Sequence, residues 1–169
     1  MNKPAIMSKR LYFGQWTDKS LPDAKILWGD PLVSKFICAS GIFTEEDIEA
    51  RLNTEISNRL LHGIQYWPIY EKTSDNIVGC CGFRPYGNDA LEFGIHIRSA
   101  FWRQGFAFEA ASAAISYCIT HLNPKKIVAG HNPNNTASAA LLKKLGFVFT
   151  HFEHYEPTGL MHPTYVFRP

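Results

Sequence analysis

The sequence predicts an α/β (α+β) fold. It reads as a single domain on one central, mixed and mostly antiparallel twisted sheet of about six or seven strands flanked by helices. Three observations lead there. Runs rich in aromatic and β-branched residues occur in succession at 64–72, 76–84 and 90–98, separated only by the turn-forming "TSD" and "PYGND", as in a meander. Segments with helical spacing of apolar residues, at 43–63, 105–122 and 134–146, alternate with such runs. With 169 residues, 46% of them hydrophobic and 14% aromatic, the chain has material for one sizeable core and reads as one domain over 1–169.

The first strand is expected over 10–16, "RLYFGQW", where apolar and polar residues partly alternate. Residues 18–37 hold a short helix interrupted at Gly29–Pro31. The segment 43–63 is a helix with defined ends. Thr44 is a good N-cap followed by acids that suit the positive end of the helix dipole, and Gly63 is a natural C-terminal stop. Its apolar stripe is expected at Ile48, Leu52, Ile56 and Leu60. After the meander, a turn at Trp102–Gly105 leads into a helix over 105–122. Ala107, Ala110, Ala111, Ala114, Ile115, Cys118 and Leu122 share one face of it. Residues 124–132 form another strand. Residues 134–146 form a helix with an Asn cap and a left-handed stop at Gly146, and 147–156 and 164–169 are the last strands.

The net charge is +2, acids and bases are scattered, and no block of Lys or Arg is present, which argues against a nucleic-acid partner. No apolar run reaches the length of a membrane span, and the start "MNKPAIMSKRLYF" lacks the apolar centre of a signal peptide. A soluble, cytoplasmic protein with no membrane partner is expected. Cys38, Cys80, Cys81 and Cys118 form no CxxC pattern and no metal spacing, and are expected as reduced core thiols. His151 and His154 lie three apart on a strand and so face opposite ways; no metal site is expected there.

Two turns carry the functional signal. A strand entering a helix through Gly105 leaves backbone N–H groups free at a helix N-terminus, where they and the helix dipole suit a phosphate. Glycine permits positive φ and close approach of a ligand, and Ala107 keeps a bulky side chain away. The same pattern also fits a plain strand–helix turn. No GxGxxG and no GxxxxGK[ST] is present, so neither a dinucleotide fingerprint nor a nucleotide phosphate loop is expected. The second turn, "NPNNTASAALLKKLGF" over 132–147, puts Asn135 at a helix start and Ser138 one turn inside. Both helix starts follow neighbouring strand ends, so both can face one ligand.

In this order, "KRLYFGQWT", "NIVGCCGF", "LEFGIHIRSAFWRQGFAFEA" and "NNTASAALLKKLGF" resemble the GNAT acetyl-CoA-dependent N-acetyltransferases, over roughly residues 8–167. The branch they resemble includes the RimJ/RimL-type ribosomal-protein alanine N-acetyltransferases. That resemblance implies acetyl-CoA as co-substrate, no metal, and an amine acceptor, either a protein N-terminal α-amine or a small-molecule amine, in a monomer or homodimer. The family's pyrophosphate loop, Gln/Arg-x-x-Gly-x-Gly/Ala, becomes Trp102-Arg103-Gln104-Gly105-Phe106-Ala107, with Trp in place of the first residue. By resemblance, the amides of Arg103, Gln104, Gly105, Phe106, Ala107 and Phe108 hold pyrophosphate. The strand edge at Ile95 and Ile97 pairs with the pantetheine arm, and Asn135 contacts the coenzyme.

Acetyl transfer to an amine needs a base, an oxyanion donor and protonation of the leaving thiolate. Glu92 is the first candidate base. His96 shares its strand parity and is the alternative base or relay. Many family members carry a Tyr acid in the last helix, and that position is Leu142 here; by resemblance Ser138 is the replacement acid, and the backbone N–H near Ile97 the oxyanion donor. The missing Tyr leaves a non-catalytic acyl-CoA-binding or sensing module as the alternative. Tyr66, Trp67, Tyr86, Phe43 and Trp28 are candidate walls of an acceptor pocket as well as candidate core residues, and the segments 28–45, 62–68 and 152–164 are its expected sources.

Overall fold

A computed structural model describes residues 6–169; residues 1–5, part of the amino-terminal stretch and of the expected domain, lie outside the described residues. One seven-stranded sheet runs through the molecule in the order β1-β2-β3-β4-β5-β7-β6. The strands are β1 (Leu11–Phe13), β2 (Tyr66–Glu71), β3 (Ile77–Tyr86), β4 (Ala90–Ile97), β5 (Lys126–Gly130), β6 (Val148–Tyr155) and β7 (Leu160–Phe167). β2 to β4 form the expected antiparallel meander, β1 pairs antiparallel with β2, β4 and β5 are parallel, and β5, β7 and β6 are antiparallel. The single sheet-centred α/β domain is as read from the sequence.

The helices are α1 (Leu21–Trp28), α2 (Pro31–Ser34), α3 (Glu45–His62), α4 (Phe106–Tyr117) and α5 (Thr136–Lys144). Ends follow local chemistry. The Thr44 hydroxyl accepts from the Asp47 N–H, the Asp47 carboxylate accepts from the Thr44 N–H, and Gly63 closes α3 at φ 72°. Gly146 likewise has φ 91° after α5. α4 ends in a π-helical turn, Cys118–Leu122, rather than running on as α-helix.

Three expectations are corrected. The first strand stops at Phe13, although Gly14 N–H still donates to Pro68 O at 2.8 Å beside it. The last strand begins at Leu160, four residues earlier than expected. Leu60 is 71% exposed, and the buried face of α3 runs Ile48, Leu52, Glu55. A strict four-residue spacing drifts by about 40° per step on a 3.6-residue helix, so Leu60 has rotated out of the face that Ile48 begins.

Two apolar clusters sandwich the sheet. One packs α4 through Ala110, Ala111, Ala114 and Ile115 against Val78, Phe83, Phe93 and Ile127. The small side chains bring the helix axis close to the strands. The other packs α1 to α3 through Leu27, Trp28, Val33, Ile48 and Leu52 against Tyr66 and Cys80. Cys80, Cys81 and Cys118 are buried free thiols, whereas Cys38 is half-buried on the α2–α3 connection. Burial pushes Cys80 and Cys118 up to about 12. Among the described residues no helix is long and apolar enough to cross a membrane.

Candidate active site

β4 pairs with β3 along its whole length, Ala90↔Tyr86 to Ile97↔Gly79, but with β5 only over Ala90–Glu92. Beyond Glu92 the two parallel strands part. Arg98 N–H donates to Val78 O at 2.9 Å, which by antiparallel alternation turns the N–H and C=O groups of Phe93, Ile95 and Ile97 away from β3 and into the opening. A cavity of about 730 Å³ fills it, lined by Glu92, Ile95, His96 and Ile97 on one side and by the starts of α4 and α5 on another. The indole Nε1 of Trp102 donates to Ile97 O at 2.7 Å. The residue that departs from the expected loop pattern thus already occupies one of these edge groups.

The turn before α4 is built for exposed donors. Arg103 and Gly105 both have positive φ, 58° and 79°. Gly105 is the N-cap and offers no side chain to the helix end, whose first internal bond runs from Glu109 N–H to Gly105 O. The N–H groups of Phe106, Ala107 and Phe108 therefore have no acceptor within the helix. Arg10, just before β1, fixes this turn. Its Nη1 donates to Gln104 O at 2.9 Å, its Nε to Glu109 at 2.7 Å, and its guanidinium lies 4.0 Å from the centre of the Phe106 ring. Burial alone raises the Glu109 carboxyl, but hydrogen bonds from Ser8 and Arg10 and the Arg10 charge outweigh it and hold the group below its ordinary value. A carboxylate in the first turn of α4 is thereby neutralised by Arg10.

At the α5 start, Asn135 Oδ1 accepts from Ser138 N–H at 3.1 Å, while its side-chain nitrogen has no protein partner among the described residues. The Ser138 hydroxyl lines the cavity and has none either. Leu142, one turn further, is buried in the core.

The floor of the cavity is a side-chain network on the other face of β4. A Cβ at Gly94 would overlap the Tyr66 ring, so the bare backbone lets that ring lie between Glu92 and His96. Tyr66 Oη donates to Glu92 Oε1 at 3.2 Å. Burial and then the Glu92 charge hold the Tyr66 phenol well above its ordinary value, so it stays a donor. Arg84, opposite Glu92 on β3, stacks 4.2 Å from the Tyr66 ring centre and pairs with Glu55, which is wholly buried and also accepts from Tyr66 N–H at 2.8 Å. Trp28 Nε1 donates to His96 Nδ1 at 3.2 Å. An indole N–H can only donate, so His96 is the neutral tautomer with its proton on Nε2. Burial, and then the charges of Arg51 and Arg84, push its pKa well below the ordinary value. With the Nδ1 lone pair engaged by Trp28, the ring is a donor toward the cavity.

The family model for the acetyltransferase (GNAT) domain matches residues 10–148. The chain belongs to the GNAT acetyltransferase family. An uncharacterised N-acetyltransferase of Bacillus licheniformis is 34% identical over 133 residues, covering 75% of this chain and 74% of that protein. The fold matches a GNAT-family acetyltransferase from Bacillus anthracis with a TM-score of 0.80 at 24% identity, covering 96% and 97% of the two chains. It also matches Mycobacterium smegmatis RimJ in complex with CoA-disulfide, with a TM-score of 0.76 at 15% identity over 94% and 81% of the chains. The protein is therefore an acyltransferase of the GNAT class with RimJ/RimL-type structural neighbours, from a family that uses acetyl-CoA.

Of the GNAT site residues expected from the sequence, Glu92, Ile95, His96, Ile97, Arg103, Gly105, Phe106, Ala107, Phe108, Asn135 and Ser138 line the one cavity. Gln104 does not; its carbonyl meets Arg10 and its side chain donates to Ala100 O at 3.0 Å. Of the aromatic wall candidates, Tyr66 and Tyr86 line the cavity, Trp67 and Phe43 belong to the core clusters, and Trp28 reaches the site through His96. Residues from all three expected acceptor segments line it, among them Phe36, Tyr66 and Tyr155. Sequence reasoning missed Arg10, Glu109, Glu55, Arg84 and Arg51. Only Gly94 inside a strand gave a usable signal, of a close approach by something large.

Proposed function

We propose that this protein transfers the acetyl group of acetyl-CoA to a primary amine by direct attack in a ternary complex, with Glu92 as base. The observation that carries this reading is the parting of β4 from β5 at Glu92, which sets a carboxylate at the apex of an opening whose other end holds free backbone donors. The residues fit the co-substrate. Phe106, Ala107 and Phe108 supply N–H groups for the pyrophosphate, with Arg103 and Gly105 shaping the turn and Gln104 anchoring it through Arg10. Ile95 offers both edge groups to the pantetheine arm. Ile97 offers its N–H alone, because Trp102 holds its carbonyl. The side-chain nitrogen of Asn135 is placed to donate to the same arm.

The acceptor amine arrives mostly as ammonium, since amine pKa values run from about 8 for a peptide α-amine to about 10 for a lysine-type amine. Glu92 takes one proton from it, and the free amine attacks the thioester carbonyl. The oxygen gains charge against the Ile97 N–H, the nitrogen then gives up its second proton as the C–S bond breaks, and that proton reaches the departing thiolate through Ser138 or water. With a thiol pKa of about 8.5, help at this last step has modest value. His96 enters as a donor from Nε2 toward the acceptor rather than as base. The free thiols suit a reducing compartment, and we place the enzyme in the cytoplasm.

Acetyl-CoA at saturating concentration should raise the melting temperature by several degrees, and an amine panel should release free thiol. No melting shift at saturation would sink the reading.

A further inference from the structure

Arg51 lies on α3 and lines the cavity, as do Leu32, Val33, Phe36 and Ile37 from α2 and the segment after it. Three arginines have a buried Nε without a hydrogen-bond partner: Arg51, Arg59 and Arg84. Two of them are engaged through their other nitrogens, Arg84 with Glu55 and Arg59 with Gln15 at 3.3 Å. Arg51 makes no ion pair and no hydrogen bond among the described residues, and its guanidinium carbon lies 5.4 Å from the centre of the Trp28 ring. The carboxylate one turn along α3, Glu55, is already taken by Arg84 and by Tyr66 N–H. A guanidinium carries five donors in a plane that matches an oxyanion, and a buried Nε such as that of Arg51, with no partner among the described residues, is costly to leave unpaired. The group is also close to the chemistry, since its charge helps depress the His96 imidazole on the same cavity wall.

We propose that Arg51 is the anchor for a carboxylate on the acceptor, and that the acceptor is an amine of amino-acid size rather than a polyamine. This rests on the acetyl-transfer reading above. The cavity then has two poles for one substrate, Glu92 for the ammonium and Arg51 for the carboxylate, and Tyr66 and His96 line the same cavity. Phe36 and Ile37 wall the Arg51 end and shield the ion pair from water, which strengthens it. Glu153 and Tyr86, joined at 3.4 Å, also line the cavity.

The test compares the twenty L-amino acids with their carboxamides as acceptors, read as acetyl-CoA-dependent thiol release by the full chain. At least one acid should exceed its amide by tenfold or more in kcat/KM, with the difference mainly in KM. Arg51→Gln should lower kcat/KM for that acid by about 10–100-fold, far more than for the amide, and Arg51→Lys should restore part of it. The melting shift with acetyl-CoA controls for folding and separates the two readings. A shift with amides or spermidine preferred, with no turnover of any amino acid, or with an acid-to-amide ratio unchanged in Arg51→Gln overturns the carboxylate anchor alone. Absence of the shift overturns the acetyl-transfer reading as well. The acid-to-amide comparison on the unmodified protein decides the matter even if the Arg51 variants do not fold.

Discussion

The two ends of the cavity are made of different material. The proposed coenzyme end is backbone: the β4 edge at Ile95 and Ile97, the turn around Gly105, and the first amides of α4. The acceptor end is side chain: Glu92, Tyr66, His96, Trp28, Arg84, Glu55 and Arg51, drawn from α1, α3, β2, β3 and β4. A backbone site tolerates changes of side chain and fails only where a Cβ or a wrong φ intrudes. A side-chain network transmits the loss of any member to its neighbours. The difference also fits one family serving many acceptors. In the proposed arrangement the common co-substrate meets groups every residue carries, and the variable acceptor meets groups only particular residues carry.

That contrast can be broken experimentally. Glu92→Gln should lower kcat by about 100-fold or more at neutral pH while leaving the acetyl-CoA melting shift intact, because the amide cannot accept the proton. Unchanged turnover would remove Glu92 as base. Glu55→Ala should cost about 3 kcal/mol in urea denaturation, since it strands the Arg84 charge and the Tyr66 N–H. A cost within about 0.5 kcal/mol would show that the floor is not a coupled network. Gly105→Ala should cost about 1 kcal/mol of stability for a non-glycine residue at φ 79° and raise KM for acetyl-CoA several-fold with little change in kcat. A larger effect on the acceptor KM than on the coenzyme KM would contradict the division.

The smallest effect is a pH dependence. His96 is neutral in the fold, with a pKa well below 6.5. The unfolded chain then binds the proton more readily, so this contribution is fully present above pH 6.5 and is lost as pH falls from there toward the folded pKa. The slope from one such histidine is at most about 1.4 kcal/mol per pH unit. His162, depressed by burial and by His131, adds a slope of the same sign. His96→Asn should flatten the acid limb of the stability curve measured by denaturant titration. An unchanged limb would mean that His96 is free to charge in the folded protein.

Much of the coenzyme end was legible in the chain. A glycine needing positive φ, a small residue two positions later and an Asn cap in the next helix are local demands, and each left a local trace at Gly105, Ala107 and Asn135. The seven strands and the long helices were legible for the same reason, since periodicity and turn chemistry act over a few residues. Boundaries were less so: β1 ended early and β7 began early, because pairing with β2, β5 and β6 decides where a strand stops.

By itself the sequence determined the sheet-centred fold, and it marked the Gly105 turn as a candidate phosphate site and Glu92, His96 and Ser138 as candidates for proton transfer. Only the tertiary structure decided that Arg10 and Glu109 brace that turn, that Trp28 makes His96 a donor, that Glu55 takes Arg84, and that Arg51 lines the cavity with its Nε unpartnered among the described residues. The residues in such a pair stand far apart in the chain, 99 positions for Arg10 and Glu109 and 68 for Trp28 and His96. A charge or a tautomer is fixed by what lies within a few ångströms, and sequence spacing carries no record of that distance.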